Sequence, residues 1–191
     1  MHLATTTSGN ALLEHDPLAL LVGMLLDQQI PMEKAFTSPS VLLERLGGGS
    51  SLDATAIAEH DPAAFEELFR TPPALHRFPA AMAKRVQALA RVLVEQFDGR
   101  AENVWTQAGD GADLVARIGR LPGFGEQKAR IFAALLGKQF GVHPSGWREA
   151  TGAYGDSGAF RSVADVVDDA SLLKVRATKQ QAKAAAKAAQ A

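Results

Sequence analysis

Cysteine is absent from the 191-residue chain. Without it there is no disulfide, no thiolate zinc site, no cysteine nucleophile and no cysteine-ligated iron–sulfur cluster. Long apolar runs are missing as well. No stretch of about eighteen apolar residues occurs, so no membrane-spanning helix is expected. Met1 to Asn10 lacks the basic start and apolar core of a secretory signal, and a cytoplasmic location is expected. No alternating apolar–polar run marks a strand. There is no internal repeat. The five histidines never share a helical face at metal-ligand spacing, so no side-chain metal site is expected. Net charge is −1, so total charge names no partner.

What is present reads as helix. Asp16-Pro17, Ser38-Pro39 and Asp61-Pro62 each offer an N-cap followed by a first-turn proline. The spacing predicts a core helix over Leu18 to Gln29, apolar almost all round. Shorter helices are predicted over Ser38–Leu46, Asp53–His60 and Pro62–Phe69. Met82, Val86, Leu89, Leu93 and Phe97 recur at steps of four, three, four and four, which marks an amphipathic helix over Pro79–Phe97. Its outer face carries Lys84, Arg85, Gln87, Arg91 and Glu95. Helices are also expected over Ala112–Gly119 and Glu126–Phe140. The fold class is therefore all-α.

Charge is unevenly distributed. Glu44 to Glu67 is acidic apart from Arg45, whereas Arg70 to Val94 holds Arg70, Arg77, Lys84, Arg85 and Arg91 and no acid. Lys174, Arg176, Lys179, Lys183 and Lys187 make the Ala/Lys-rich end of the chain basic. Two basic blocks in a near-neutral protein suit a polyanion held on one face.

The most informative stretch is Ile118-Gly119-Arg120-Leu121-Pro122-Gly123-Phe124-Gly125-Glu126-Gln127-Lys128-Ala129. One helix ends near Gly119. Pro122 and Gly123 turn the chain, and Gly125 opens the next helix. The exposed N–H groups and the positive end of that helix make a seat for a phosphate. Leu121 and Phe124 should anchor the turn, with Lys128 and Arg130 close by.

Leu121-Pro122-Gly123-Phe124-Gly125, followed by Ala129, resembles the helix–hairpin–helix of the HhH-GPD base-excision DNA glycosylases. Leu20 to Ile30 resembles that family's early core helix with its glutamine-bearing turn. Phe78 to Phe97 resembles the helix preceding the hairpin. The resemblance implies an all-helical fold that grips duplex DNA, extrudes a damaged base and hydrolyses its glycosidic bond. It implies that Gly123 and Gly125 hold a phosphate beside the lesion, often with a monovalent cation on the hairpin's backbone carbonyls and no other cofactor. It places Gln29, with Gln28 beside it, against the minor groove. Bifunctional relatives carry a Schiff-base lysine where this chain has Gln127, and Lys128 is turned about 100° away along the helix. The resemblance thus implies a monofunctional enzyme, nearest in motif to the 3-methyladenine DNA glycosylase II branch. DNA contacts are expected from Gln28, Gln29, Arg77, Lys84, Arg85, Leu121, Gly123, Gly125, Gln127 and Lys128.

Such an enzyme needs a carboxylate after the second hairpin helix. Ungapped placement puts Ser145 there. An eleven-residue insertion puts Asp156 there instead, and Glu149 lies in the same region. Trp147 and Tyr154 could stack on an extruded base or plug a displaced loop. Two other functions stay open: a hairpin module that binds DNA without chemistry, and an unrelated helical interaction protein. The expected organisation is an N-terminal arm over 1–15, a helical core over 16–141 with the hairpin at 112–140, an irregular segment over 142–170 and a basic tail over 171–191. A monomer is expected.

Overall fold

A computed structural model describes residues 1–188. The end of the Ala/Lys tail at 189–191, where fraying is expected, lies outside the described residues. Among those described, every regular element is helical and no strand forms, so the fold is all-α as expected. Eleven α-helices follow one another: α1 (Thr7–His15), α2 (Pro17–Leu26), α3 (Met32–Arg45), α4 (Ala54–Glu59), α5 (Pro62–Arg70), α6 (Pro79–Gln96), α7 (Asn103–Thr106), α8 (Gly111–Gly119), α9 (Glu126–Phe140), α10 (Trp147–Thr151) and α11 (Asp169–Ala188). Two 3₁₀ turns, Gly152–Tyr154 and Val163–Asp165, punctuate the segment after α10.

Helix α2 is the centre of the fold, and every residue from Leu18 to Leu26 is buried. Asp16 caps it, one carboxylate oxygen accepting the N–H groups of Leu18 and Ala19 at 2.8 and 3.1 Å. The other accepts from Leu52 at 2.8 Å and ties in the loop before α4. The 1–15 segment carries α1, and Leu3, Leu12 and Leu13 join the core. The stripe predicted on α6 is buried throughout. Gln87 is buried too, not on the outer face, because its amide donates to the carbonyls of Ile57 and His60 around the end of α4.

Two helix boundaries differ from expectation. The third helix starts at Met32, so Ser38-Pro39 is interior rather than a cap. Proline there leaves the Ala35 carbonyl without its helical donor. The Ser38 hydroxyl lies between the carbonyls of Lys34 and Leu75 and ties the helix to the loop before α6. Helix α2 stops at Leu26 rather than Gln29. Its end is closed by the Asp27 N–H on Gly23 and by the Gln28 side-chain amide on Leu25.

Candidate functional site

The hairpin joins α8 to α9. The Leu121 N–H bonds the Ile118 carbonyl at 3.0 Å, and the Phe124 N–H bonds the Leu121 carbonyl at 3.0 Å. Leu121 and Phe124 are buried, while Gly123 and Gly125 face outward. Gly123 has φ +86, and a Cβ there would stand 3.2 Å from Leu25 of α2. No side chain caps α9, so its first-turn N–H groups are left for an external acceptor.

Beside the hairpin opens a cleft of about 680 Å³, bounded by the end of α2, the first turns of α9, the turn after α10, and α11. Gln28, Gln29, Gln127, Lys128 and Tyr154, all expected in the site, line it together. The Gln127 amide donates to the Tyr154 hydroxyl at 2.8 Å, which sets both side chains across the mouth. Among the described residues, the ionic groups lining it are Lys128, Arg130, Arg161 and Lys179 against a single carboxylate, Asp27.

The two glutamines are used differently. Gln28 is engaged by the protein: its amide donates to Leu25, and its side-chain carbonyl accepts from Arg85 at 3.0 Å. Its backbone carbonyl accepts from His76 Nε2 at 2.9 Å. The Phe78 N–H donates to His76 Nδ1 at 3.1 Å, so the buried imidazole is the neutral Nε2–H tautomer. Gln29 is exposed, with φ +56, and its side chain makes no hydrogen bond to the described residues. A left-handed backbone is uncommon outside glycine and collects at functional sites. It turns Gln29 out of the fold.

Lys128 does not point away from the site. Its ammonium donates to the carbonyls of Met24 and Leu25 at 2.9 and 3.0 Å. A cation there opposes the negative end of the α2 dipole. Burial lowers its pKa to about 8, against the pull of Asp27 and helped by Arg85. Burial pushes the Asp27 carboxyl up, while Lys179 and Lys128 hold it down.

The remaining candidates lie apart. Arg77 is exposed and stacks over Phe78 at 4.9 Å. Lys84 lines a separate groove with Glu66 and Arg91. Asp156 and Glu149 are exposed and do not line the cleft. Ser145 is a corner residue: its carbonyl accepts the Gly111 N–H at 2.7 Å. The chains approach so closely there that a Cβ on Gly111 would stand 2.5 Å from Trp147. Trp147 is buried, stacked on His143 with centroids 5.3 Å apart and 14° between planes. Its ring edge fills the space where a Gly137 Cβ would stand. Sequence reasoning gave no site role to Asp27, Arg161 or the exposed Phe78, whereas Lys179 belongs to the basic tail expected to hold phosphates. Arg161 is held by Asp165, whose carboxylate accepts the Arg161 and Ser162 N–H groups and pairs with Lys138 at 2.6 Å.

An uncapped helix start at a glycine hairpin, opening beside a cationic cleft, defines a helix–hairpin–helix protein shaped for a nucleic-acid backbone. The family model for HhH-GPD superfamily base excision DNA repair proteins matches residues 22–190, and the chain belongs to that superfamily. Proteins of this superfamily bind DNA. No curated protein and no solved structure matches the chain.

Proposed function

We propose that the protein is a monofunctional DNA N-glycosylase that removes a damaged base from duplex DNA and leaves the strand uncut. The observation that supports this most is the convergence of the first turns of α9, exposed Gln29 and the Gln127–Tyr154 pair on one cleft with a carboxylate inside. The α9 N-terminus and hairpin N–H groups take the phosphate beside the lesion. The carbonyls of Pro122 and Gly123, which accept no hydrogen bond from the described residues, suit a hard monovalent cation. Bound there, it would add positive charge against that phosphate. Gln29 and exposed Phe78, linked through Gln28 and His76, flank the space left by the extruded nucleotide. An apolar ring at that position wedges into a base step and offsets part of the unstacking cost. Tyr154 offers a stacking face inside the cleft.

Gln127 stands where a lyase has its nucleophile, and an amide forms no Schiff base. Lys128 is tied to two carbonyls of α2. The absence of a lysine at position 127 fits the 3-methyladenine glycosylase II resemblance, since that branch lacks it too. The enzyme acts as a monomer. Single-turnover incubation with duplexes carrying alkylated, oxidised or deaminated bases tests this reading. Release of a free base is expected; binding with no release from any lesion would leave a DNA-binding module instead.

A further inference from the structure

We propose that Asp27, at the end of helix α2, is the carboxylate that drives base excision here, from the opposite wall of the cleft to the segment following the second hairpin helix. The proposal rests on the glycosylase reading. The position expected to carry the acid holds Ser145, whose hydroxyl supplies no negative charge and whose carbonyl accepts the Gly111 N–H. Asp156 and Glu149 face solvent away from the cleft lining. Asp27 is half-buried, lines the cleft, and accepts no hydrogen bond from the described residues. Its backbone is fixed, because its N–H closes α2 on the Gly23 carbonyl at 3.1 Å.

The groups facing it are Lys128 from α9, Lys179 from α11 and Glu33 from α3. Glu33 is paired with Arg176, and the two lysines oppose the upward push that burial puts on the Asp27 carboxyl. Lys128 is a positioning residue here, since its ammonium is held by α2. A carboxylate without protein donors, partly removed from water, gains most when a cation forms beside it.

That cation is the sugar. A nucleotide entering between Gln29 and Tyr154 brings its sugar into a space whose lining holds one carboxylate. The C1′–N bond breaks and its electron pair leaves with the base. Asp27 stabilises the positive charge on C1′ and its ring oxygen. Water then bonds through oxygen to C1′, and the proton it sheds passes to Asp27 and on to solvent. The departing base takes its proton from solvent. Free base and an abasic hydroxyl sugar result, and the phosphodiester bonds stay intact.

The test is single-turnover excision on the lesion duplex that the parent processes, with duplex binding and thermal melting measured alongside. Asp27→Asn should lose about 100- to 1,000-fold in rate, the usual effect of deleting one preorganised electrostatic group. Binding should hold or tighten slightly, and melting should stay near that of the parent. Asp27→Ser gives the same readout with less bulk if the amide packs badly. Parental excision rates in both variants would overturn the assignment and leave the glycosylase reading standing. Loss confined to Asp156→Asn or Glu149→Gln would also overturn it and move the role there. A parent that binds duplex but excises nothing would sink the reading and this inference with it.

Discussion

Gly123 and Gly125 lie two residues apart and should respond differently to a methyl group. Gly123 has a left-handed backbone and sits against Leu25, so Gly123→Ala should cost about 1 kcal/mol or more in a denaturant titration. Gly125 is extended, with open space where its Cβ would be. Gly125→Ala should leave stability within about 0.5 kcal/mol of the parent. Binding to duplex DNA should nonetheless weaken, since the methyl group occupies the phosphate seat. Unchanged affinity in that folded variant would mean the hairpin is not the seat. His76 supplies a pH signature. Its ring is neutral, with Nδ1 accepting from Phe78, and burial lowers its pKa below the usual 6.5. The unfolded chain takes up that proton first as pH falls. Stability should therefore drop from about pH 6.5 downward, through the lower folded value. His76→Gln, which offers one acceptor and one donor without titrating, should flatten that limb in thermal melts at pH 5 to 7.

At the scale of elements, the end of α2 is the junction on which the site is built. Lys128 closes its last carbonyls, Gln28 locks the turn, and Asp27 opens into the cleft. Holding the Lys128 charge half-buried lowers its pKa from 10.5 to about 8. Between those values the unfolded chain binds the extra proton, so stability contributed by this site rises with pH across the window. The melting temperature of the parent relative to Lys128→Gln should therefore climb from pH 8 to pH 10. A constant difference would show that the lysine is not buried in its charged form. Much of this architecture is legible in the chain itself. Glu126–Phe140 is read to the residue because Gly125 and Gly141 bracket an amphipathic run. The hairpin's anchors, Leu121 and Phe124, follow from the same local logic. What local logic cannot reach is partnership across the fold. Ser38-Pro39 mimics a helix start, yet Pro31 opens that helix about two turns earlier and tertiary contacts to Leu75 keep it whole. Lys128 lies one position past the expected nucleophile, and only the carbonyls of a helix a hundred residues away draw it into the cleft. Asp27 lies inside the Leu20–Ile30 stretch without a role of its own there, and its setting in the cleft comes from what α9 and α11 bring beside it.

Across the whole molecule, neutrality conceals the polarity that matters. Four cationic side chains line the cleft against one carboxylate, while the acidic run from Glu44 to Glu67 spans α4 and α5. Lys128 is engaged by α2, so duplex affinity should depend on salt through about three phosphate contacts. That corresponds to a loss on the order of 40-fold between 50 and 200 mM salt. Lys179→Ala should reduce the logarithmic slope by about one, and a flat titration would exclude this face as the interface. Among the described residues no helix is long and apolar enough to cross a membrane. The central claim, base removal without strand cleavage, is tested most directly by incubating the protein with an end-labelled damaged duplex and splitting the reaction. One half is treated with borohydride and the other with hot alkali. The account predicts a strand break only after alkali, and no borohydride-trapped protein–DNA adduct. A trapped adduct, with a break before alkali, would contradict it and point to Lys128 as a nucleophile.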